Sequence, residues 1–584
     1  KVEGGRLKVK GRRLKVEGRR QKEDRWEVEG GMLSVIFSTH ISRLRSFRLL
    51  LFLVSFLSFF PFSLPPSTFH LSYASEPDYG DAIVLGSIGD ATTLVPMLAS
   101  DATSHQIAGL IYNGLVKYDK DLNLVGDLAE SWTISPDGLT ITFKLRKGVK
   151  WEDGEPFTSE DVLFGFETIT APGTPTAYAG DFLEVENAEA PDPYTFKVTY
   201  REPFAPALSS WGNLVVLPKH LLDGKDITKS PIGRNPVGLG PYSLSEWKTQ
   251  ERIELKANPI YFEGRPYLDR YIMRIIPDPA TMFLELKSGG LDWMGLSPIQ
   301  YERQANSLFF EINFNKYRYL SFSYTYLGYN LKFPLFTDKR VRQAIAYAID
   351  KDEIIRGVLL GYGVKATGPY KPDTWFYNPD VRRYPYDPKR ATALLAEAGW
   401  VDRDGDGRLD KEGRPFSFTA ITNQGNPLRD RTAQIIQYRL KQIGIEMKIR
   451  TLEWTAFIND FIDKRRFEAV ILGWTLGQDP DIYDIWHSSK TGGKELNFIS
   501  YQNPEMDRLL VEGRRTFDRN ERKKIYRRIQ EILAEDQPYT FLYVPMALPV
   551  IHKRFKGIEP APAGITYNFI RWWVPRYEQK YIMP

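Results

Sequence analysis

Hydrophobic and polar residues alternate in short runs between residue 75 and about residue 320. In LTITFKL (139–145), apolar side chains stand at every second position, which is typical of a strand with one buried face. YTFKVTY (194–200) and RIELKA (252–257) alternate in the same way. The segment 104–116 instead spaces its apolar residues as an amphipathic helix does. This half of the chain is therefore predicted to mix strands with short helices.

After about residue 325 the apolar residues take helical spacing more often. The segment 338–355 has them at positions that recur every three or four residues, and a helix is predicted to begin at Pro388 with Asp387 as its cap. A further helical segment (428–444) leads into the alternating strand IEMKI (445–449). Helices and strands in turn indicate an α/β lobe with some parallel strand pairing.

The segment 32–74 has the layout of a secretory signal peptide. Three arginines precede the apolar run LLLFLVSFLSFFPFSL (49–64), and SYA (72–74) offers the small residues that a signal peptidase reads. We expect the segment to direct export. The alternative is a membrane anchor that stays uncleaved.

Residues 1–31 contain two near-copies of one heptapeptide, LKVKGRR (7–13) and LKVEGRR (14–20). We interpret 1–31 as translated sequence upstream of the true start at Met32, with a basic tail as the alternative.

Charge and cysteine content exclude several classes of function. Residues 1–74 hold 14 of the 78 basic and 6 of the 73 acidic residues, so the remainder is slightly acidic. That balance gives no electrostatic basis for nucleic-acid binding. The sequence contains no cysteine, which excludes thiol nucleophiles, zinc–thiolate sites, disulfides and a lipid-attachment cysteine. An exported chain of this kind is expected in a periplasm.

The segment RKGVKWEDGEPFTSEDVLFGFE (146–167) concentrates acids in a way that could suggest catalysis. Thr158 is a good N-cap, and Asp161 follows three residues later as in a capping box. Glu160 and Asp161 lie in the first turn, where the helix dipole favours negative charge. We therefore predict that these acids are structural and that the segment has no catalytic role.

Five segments of this sequence closely resemble the family-5 solute-binding proteins, the peptide-binding components of ABC importers. They are 128–167, 235–247, 286–292, 336–355 and 472–489, in the order found in the family. Together they span nearly all of residues 75–584, which makes the resemblance specific.

The resemblance implies an α/β, two-lobed periplasmic-binding-protein fold of type II, in the large peptide-binding class. The first lobe would comprise 75–322, with an extra subdomain at 115–235, and the second lobe 323–540. Residues 541–584 would return to the first lobe. Closure of the lobes over a ligand is a hinge motion, and the closed form would be recognised by the membrane subunits of an ABC transporter.

The resemblance also places the ligand cleft beside Trp474. In peptide-binding members an Asp shortly after this Trp takes the amino group of the peptide, but here the first acid is Asp479. We expect Trp474, Asp479 and Asp481 to contact the ligand, since a buried ammonium needs a carboxylate partner and an indole face suits a peptide or a sugar. The alternatives are core packing for Trp474 and loop or cap roles for the two acids.

The loop DRDGDGRLDKEG (402–413) follows the spacing of an EF-hand calcium loop. Asp402, Asp404, Asp406 and Asp410 occupy positions 1, 3, 5 and 9, and Arg408 would supply its backbone carbonyl. The bidentate Glu is missing, because position 12 is a glycine. A structural Ca²⁺ site is one prediction and an Asp/Gly-rich turn is the other. No cofactor is required by the predicted function.

Taken together, the sequence indicates a periplasmic substrate-binding protein that delivers peptides to an ABC importer. We expect a monomer that binds no nucleic acid and catalyses no reaction. Two alternatives stay open: an oligosaccharide-binding protein of an ABC importer, and a secreted hydrolase of peptides or glycans.

Overall fold

A computed structural model describes residues 76–99, 101–176, 178–492 and 495–581. The predicted upstream segment (1–31) and signal peptide (32–74) lie outside the described residues. Within the described ranges, no helix combines the length and the apolar character needed to cross a membrane.

The strands of the described chain fall into two groups along the sequence. Those before residue 317 are β1 (Ala82–Ser87), β2 (Val116–Tyr118), β3 (Leu124–Gly126), β4 (Ala129–Ile134), β5 (Thr140–Leu145), β6 (Val185–Asp192), β7 (Thr195–Tyr200), β8 (Tyr242–Lys248), β9 (Arg252–Ala257), β10 (Arg270–Ile275), β11 (Trp293–Gly295) and β12 (Phe314–Lys316). Those after it are β13 (Tyr319–Leu320), β14 (Ser323–Tyr329), β15 (Gly363–Lys365), β16 (Asp410–Lys411), β17 (Arg414–Pro415), β18 (Ser417–Asn423), β19 (Glu446–Leu452), β20 (Ala469–Thr475), β21 (Tyr539–Ala547) and β22 (Pro549–His552).

The helices surround these strands. The first six are α1 (Ala102–Ile111), α2 (Ser159–Thr170), α3 (Ala207–Asn213), α4 (Lys219–Leu222), α5 (Pro279–Ser288) and α6 (Leu308–Asn313). The rest are α7 (Lys339–Ala348), α8 (Lys351–Gly357), α9 (Pro388–Glu397), α10 (Pro427–Lys441), α11 (Trp454–Ala456), α12 (Tyr483–Trp486), α13 (Pro504–Arg515) and α14 (Arg519–Asp536).

The first lobe is built on a seven-stranded sheet in the order β12-β22-β11-β1-β10-β9-β8. β1 pairs parallel with β10 and β11, whereas β22 pairs antiparallel with β11 and β12. A separate four-stranded antiparallel sheet, β4-β5-β7-β6, lies within the region predicted as an extra subdomain. Its buried residues join those of the first sheet and of segment 551–574 in one hydrophobic core.

The second lobe is built on another seven-stranded sheet, in the order β13-β21-β14-β20-β18-β19, with β15 added on β21. β18 pairs parallel with β19 and β20, which gives the parallel pairing that the sequence pattern predicts. Side chains alternate along β20: Ala469 and Ile471 join one apolar cluster, and Val470 and Leu472 join another. The sheet is therefore covered on both faces.

Two segments of the chain run side by side from one lobe to the other. Ser321 donates its backbone N–H to the carbonyl of Pro545 at 3.1 Å, and Tyr317 donates to the carbonyl of Pro549 at 2.9 Å. The chain passes from the second sheet to the first between Ala547 and Pro549, so the predicted boundary after residue 540 falls inside β21. Two short, paired crossings are the arrangement about which a hinge can bend.

Local sequence signals account for the helix starts. The backbone N–H of Thr158 donates to the Asp161 carboxylate at 2.9 Å, as the capping box predicts for α2. Glu160 pairs with Lys219 at 2.8 Å, and Asp153 contacts His220 at 2.7 Å. The side chain of Asp387 accepts from the backbone N–H of Arg390 and caps α9. Within segment 146–167, Asp153, Glu160 and Asp161 therefore stabilise the turn and the start of α2.

Candidate functional site

Trp474 lies near the end of β20, at the edge of the second lobe. It pairs in register with Tyr324 of β14, and its indole Nε1 donates to the hydroxyl of Tyr539 at 3.4 Å. The indole is half-buried and stacks on Phe498 with 5.9 Å between ring centroids. These contacts place Trp474 against the apolar core of the second lobe.

Asp479, in the loop after β20, forms a bidentate ion pair with Arg522 of α14. The Nη1 and Nη2 atoms of Arg522 donate to the two carboxylate oxygens at 2.9 and 3.0 Å. Burial alone would lower the pKa of Arg522, but the Asp479 carboxylate, together with Tyr526 and Asp481, raises it. Both carboxylate oxygens are therefore occupied by a partner within the protein.

Asp481 is held in a similar way by Arg514 of α13. The Nε and Nη2 atoms of Arg514 lie 2.8 and 2.7 Å from one carboxylate oxygen, and the other oxygen accepts from the backbone N–H of Tyr483 at 3.0 Å. The guanidinium also lies 4.1 Å from the centroid of the Tyr483 ring. Arg514 thus fixes the loop that leads into α12.

A cavity of about 480 Å³ lies between α12 and the first lobe. Most of its wall comes from the first lobe, and Asp484 of α12 contributes from the second. His105 Nε2 and the hydroxyl of Tyr178, both on the wall, are hydrogen-bonded at 3.0 Å. The lining residues are Pro96, Met97, His105, Ile169, Tyr178, Gly180, Asp181, Phe182, Ser210, Asn213, Leu214, Val215 and Asp484.

A second cavity of about 470 Å³ shares part of that wall. Pro96, His105, Asn213 and Val215 line both cavities. The second cavity extends along the first lobe to the segment 566–570 and meets the second lobe at Gln478. The two cavities adjoin each other and are together called the cleft here. The second lobe contributes Gln478, from the loop between β20 and α12, and Asp484 of α12 to their walls.

Asp181 lines the first cavity and has a perturbed pKa. Its carboxylate accepts a hydrogen bond from the Ser210 hydroxyl at 2.7 Å. Burial raises the pKa of Asp181, the negative charges of Asp481 and Asp484 add to the rise, and the Ser210 hydrogen bond and Arg514 oppose it. Asp484 in turn lies 3.2 Å from Lys490. A cationic group of a ligand would relieve the repulsion between these carboxylates.

The two lobes also touch directly around the cleft. The backbone N–H of Ala205 donates to the carbonyl of Arg514 at 2.5 Å, and Arg519 donates to Asn123 at 2.6 Å. On another side, the Lys371 ammonium donates to the carbonyl of Pro562 at 2.8 Å. Contacts of this kind join the two lobes beside the cleft.

The Asp-rich loop brings its carboxylates together on the surface of the second lobe. Oxygens of Asp402, Asp404 and Asp406 lie within 4.8 Å of one another, and all three residues are exposed. Asp402 accepts from the backbone N–H groups of Gly405 and Gly407 at 2.8 and 3.0 Å. Asp410 is instead paired with Arg403 at 2.7 Å. Three of the four predicted side-chain ligands therefore converge.

Trp474, Asp479 and Asp481 are not among the residues that line the two cavities. Asp479 and Asp481 lie in the loop between β20 and α12, and Trp474 lies near the end of β20. The contacts described above join all three residues to other parts of the second lobe. Sequence reasoning did not identify Asp181, Asp484 or Gln478 as wall residues. No motif marks them, because Asp181 and Asp484 come together only through the packing of the two lobes.

Comparison with known proteins agrees with this architecture. The family described as bacterial extracellular solute-binding proteins, family 5 Middle, matches residues 123–495. The oligopeptide-binding protein AppA of Bacillus subtilis is 37% identical over 520 residues, covering 86% of this chain and 93% of the relative.

Solved structures show the same fold. The structure of AppA from Bacillus subtilis in complex with a nonapeptide has a TM-score of 0.74 and 35% identity, covering 86% of this chain and all of that one. NikZ from Campylobacter jejuni in complex with Ni(L-His) has a TM-score of 0.74 and 30% identity, covering 84% and 99%. The predicted α/β two-lobed periplasmic-binding-protein fold is confirmed. The chain belongs to the bacterial extracellular solute-binding proteins of family 5.

Proposed function

We propose that this protein is a periplasmic substrate-binding protein that delivers peptides to an ABC importer by closing its two lobes over the ligand. The observation that carries the proposal is the cleft itself, whose walls include Asp181 of the first lobe and Asp484 of the second. A ligand that touches both walls favours the closed form over the open one. The similarity to an oligopeptide-binding protein, solved with a nonapeptide, supports peptides as the ligand class.

Charge in the cleft supports a ligand with a cationic group. Asp479 and Asp481 are engaged with Arg522 and Arg514, so neither carboxylate is the best candidate for an incoming ammonium. Asp181 accepts a neutral hydroxyl hydrogen bond and lines the cavity. We propose that Asp181, with Asp484 opposite, faces the positive group of the ligand, and that Trp474, Asp479 and Asp481 support the loop that closes over it.

Location and partners follow from the same proposal. The membrane subunits of an ABC transporter would recognise the closed form, and the protein would work in the periplasm as a monomer without nucleic acid. We propose no catalytic activity, since the family consists of solute-binding proteins. Incubating the protein with peptides and oligosaccharides and analysing the mixture by mass spectrometry tests this, because a hydrolase would release fragments.

We further propose that the loop 402–410 binds a structural Ca²⁺. Support comes from the converging oxygens of Asp402, Asp404 and Asp406, since Ca²⁺ prefers clustered carboxylate and carbonyl oxygens. The backbone carbonyl of Arg408 and water would complete the shell, and Asp410 would have to leave Arg403 to join it.

A thermal-shift screen tests the ligand class. Peptides of two to nine residues would be compared with cello-, xylo- and manno-oligosaccharides. A ligand at about 100 times its dissociation constant adds about 2.7 kcal/mol to the free energy of unfolding. We expect peptides to raise the melting temperature. Stabilisation by oligosaccharides alone would replace the proposal with its nearest alternative, a sugar-binding member of the same fold.

A further inference from the structure

A third cavity, of about 320 Å³, lies wholly within the second lobe. Its wall comes from residues 349–386, together with Gln537 and Phe541. None of these residues lines the two cavities of the cleft. The cavity is therefore a separate space, with a different set of charges.

Positive charge dominates this wall. Four basic side chains line the cavity, against the single acid Asp352. Lys365 is paired with Asp352 at 3.0 Å, and Arg382 is paired with Glu535 at 2.8 Å. The basic residues are Lys351, Lys365, Arg382 and Arg383.

Lys351 differs from the other basic residues of the wall. Its side chain is half-buried, and within the described residues it has no carboxylate within 4 Å. Its ammonium donates to the carbonyl of Ala366 at 3.2 Å, although an ammonium carries three N–H donors. Burial, with a smaller effect from Lys365, lowers the pKa of Lys351 to about 8. Removing part of a cation from water without a counterion costs free energy, and an anion that joins it lowers that cost.

Neutral polar groups complete the wall. The hydroxyls of Thr367 and Tyr377 share a hydrogen bond at 3.2 Å, and both residues line the cavity. Arg383 donates to the carbonyl of Pro379 at 3.0 Å and has no acidic partner within 4 Å among the described residues. Lys351 and Arg383 are therefore cations without a carboxylate partner among the described residues. Together with the two hydroxyls they line a space suited to an oxyanion.

We propose that this cavity in the second lobe binds a small organic anion through a phosphate or carboxylate group, with Lys351 as the principal contact and Arg383 as the second. The volume accommodates a molecule of metabolite size. The site is independent of the peptide cleft, since the two share no lining residue.

Calorimetric titration of the full protein with inorganic phosphate and with citrate tests the proposal, with sodium chloride of equal ionic strength as the reference. We expect saturable binding of at least one of the two anions. Lys351→Met should weaken it about tenfold or more, the effect expected for loss of a charge-assisted hydrogen bond. Binding of phosphate alone would identify a phosphate ligand, and binding of citrate alone a carboxylate ligand.

Lys448→Met is the matched control, because Lys448 is exposed on β19 and does not line the cavity. If Lys351→Met does not fold, Arg383→Met tests the same wall through an exposed residue. No saturable binding of either anion would overturn the proposal. Equal weakening by the Lys351 and Lys448 variants would also overturn it, since that result indicates nonspecific charge attraction. Peptide binding should not change in any of these variants.

Discussion

Arg522 of α14 holds both carboxylate oxygens of Asp479, at 2.9 and 3.0 Å. The two residues are 43 positions apart, and their side chains are largely buried, with exposed fractions of 7% and 15%. The pair ties the loop between β20 and α12 to the long helix of the second lobe. The family resemblance placed Asp479 near the ligand, whereas the structure pairs it with Arg522.

Asp479→Ala should destabilise the protein, because it leaves the buried Arg522 unpaired. We expect a loss of about 3–5 kcal/mol in the free energy of unfolding, measured by urea denaturation. The double variant Asp479→Ala/Arg522→Met should recover part of that loss. If Asp479→Ala kept wild-type stability and lost ligand affinity, Asp479 would be a ligand contact and not a structural acid.

Asp181→Asn should weaken binding of ligands that carry a cationic group. The substitution removes the carboxylate that faces the cavity and keeps its size, so affinity for a peptide with a free amino group should fall about tenfold or more. An N-acetylated peptide with no basic side chain should lose much less. Calorimetry on the two peptides measures the difference, and Asp380→Asn, at an exposed residue of the second lobe, is the control. Equal losses for both peptides would rule out charge recognition by Asp181.

The raised pKa of Asp181 gives that prediction a pH dependence. Because folding raises this pKa, the carboxyl favours the folded state most when it is protonated, and that contribution is lost as the pH rises through the folded-state value. Affinity for a cationic peptide should therefore fall as the pH is lowered through the raised pKa of Asp181, at a higher pH than for an ordinary Asp. Asp181→Asn should remove this pH dependence without lowering the melting temperature at neutral pH. A pH profile shared by wild type and variant would show that another group titrates.

Arg554→Met should destabilise the first lobe. Arg554 pairs with Asp81 and Asp292, and all three side chains are almost fully buried. The substitution removes the cation that the two acids share, although Lys580 stays 3.7 Å from Asp292. We expect the free energy of unfolding to fall by about 3–5 kcal/mol. Arg431→Met, at an exposed residue of α10, serves as the control and should change stability by less than about 0.5 kcal/mol. An equally mild effect at Arg554 would contradict the role of this network in joining β1, β11 and the C-terminal segment.

Calcium should raise the melting temperature if the loop 402–410 is a metal site. Melting in Ca²⁺ is compared with melting in EGTA, and the double variant Asp402→Asn/Asp406→Asn should remove any difference. Asp380→Asn again controls for the loss of an exposed charge. Identical melting in both buffers would identify the loop as an Asp/Gly turn.

Local signals and family resemblance predicted much of this architecture. The start of α2 follows from Thr158 and Asp161, because a capping box involves neighbours three residues apart. The cleft could not be predicted in the same way. The raised pKa of Asp181 depends on its burial and on the charge of residues such as Asp484, about 300 positions later in the sequence. The sequence likewise does not show that Asp479 is paired with Arg522. Lys351 likewise has the sequence context of an ordinary helix residue. The structure shows that its ammonium donates to the carbonyl of Ala366 and that no carboxylate of the described residues lies within 4 Å of it.

Closure of the two lobes over a peptide is most directly tested by a distance measurement. The sequence contains no cysteine, so Glu186→Cys in the first lobe and Lys441→Cys in the second allow specific spin labels at two exposed positions. The distribution of label distances is measured without ligand, with a saturating peptide and with a saturating oligosaccharide. We expect a saturating peptide to narrow the distribution and to shift it to shorter distances, because a ligand that contacts both walls favours the closed form. A distribution that stays unchanged at saturating peptide would contradict it.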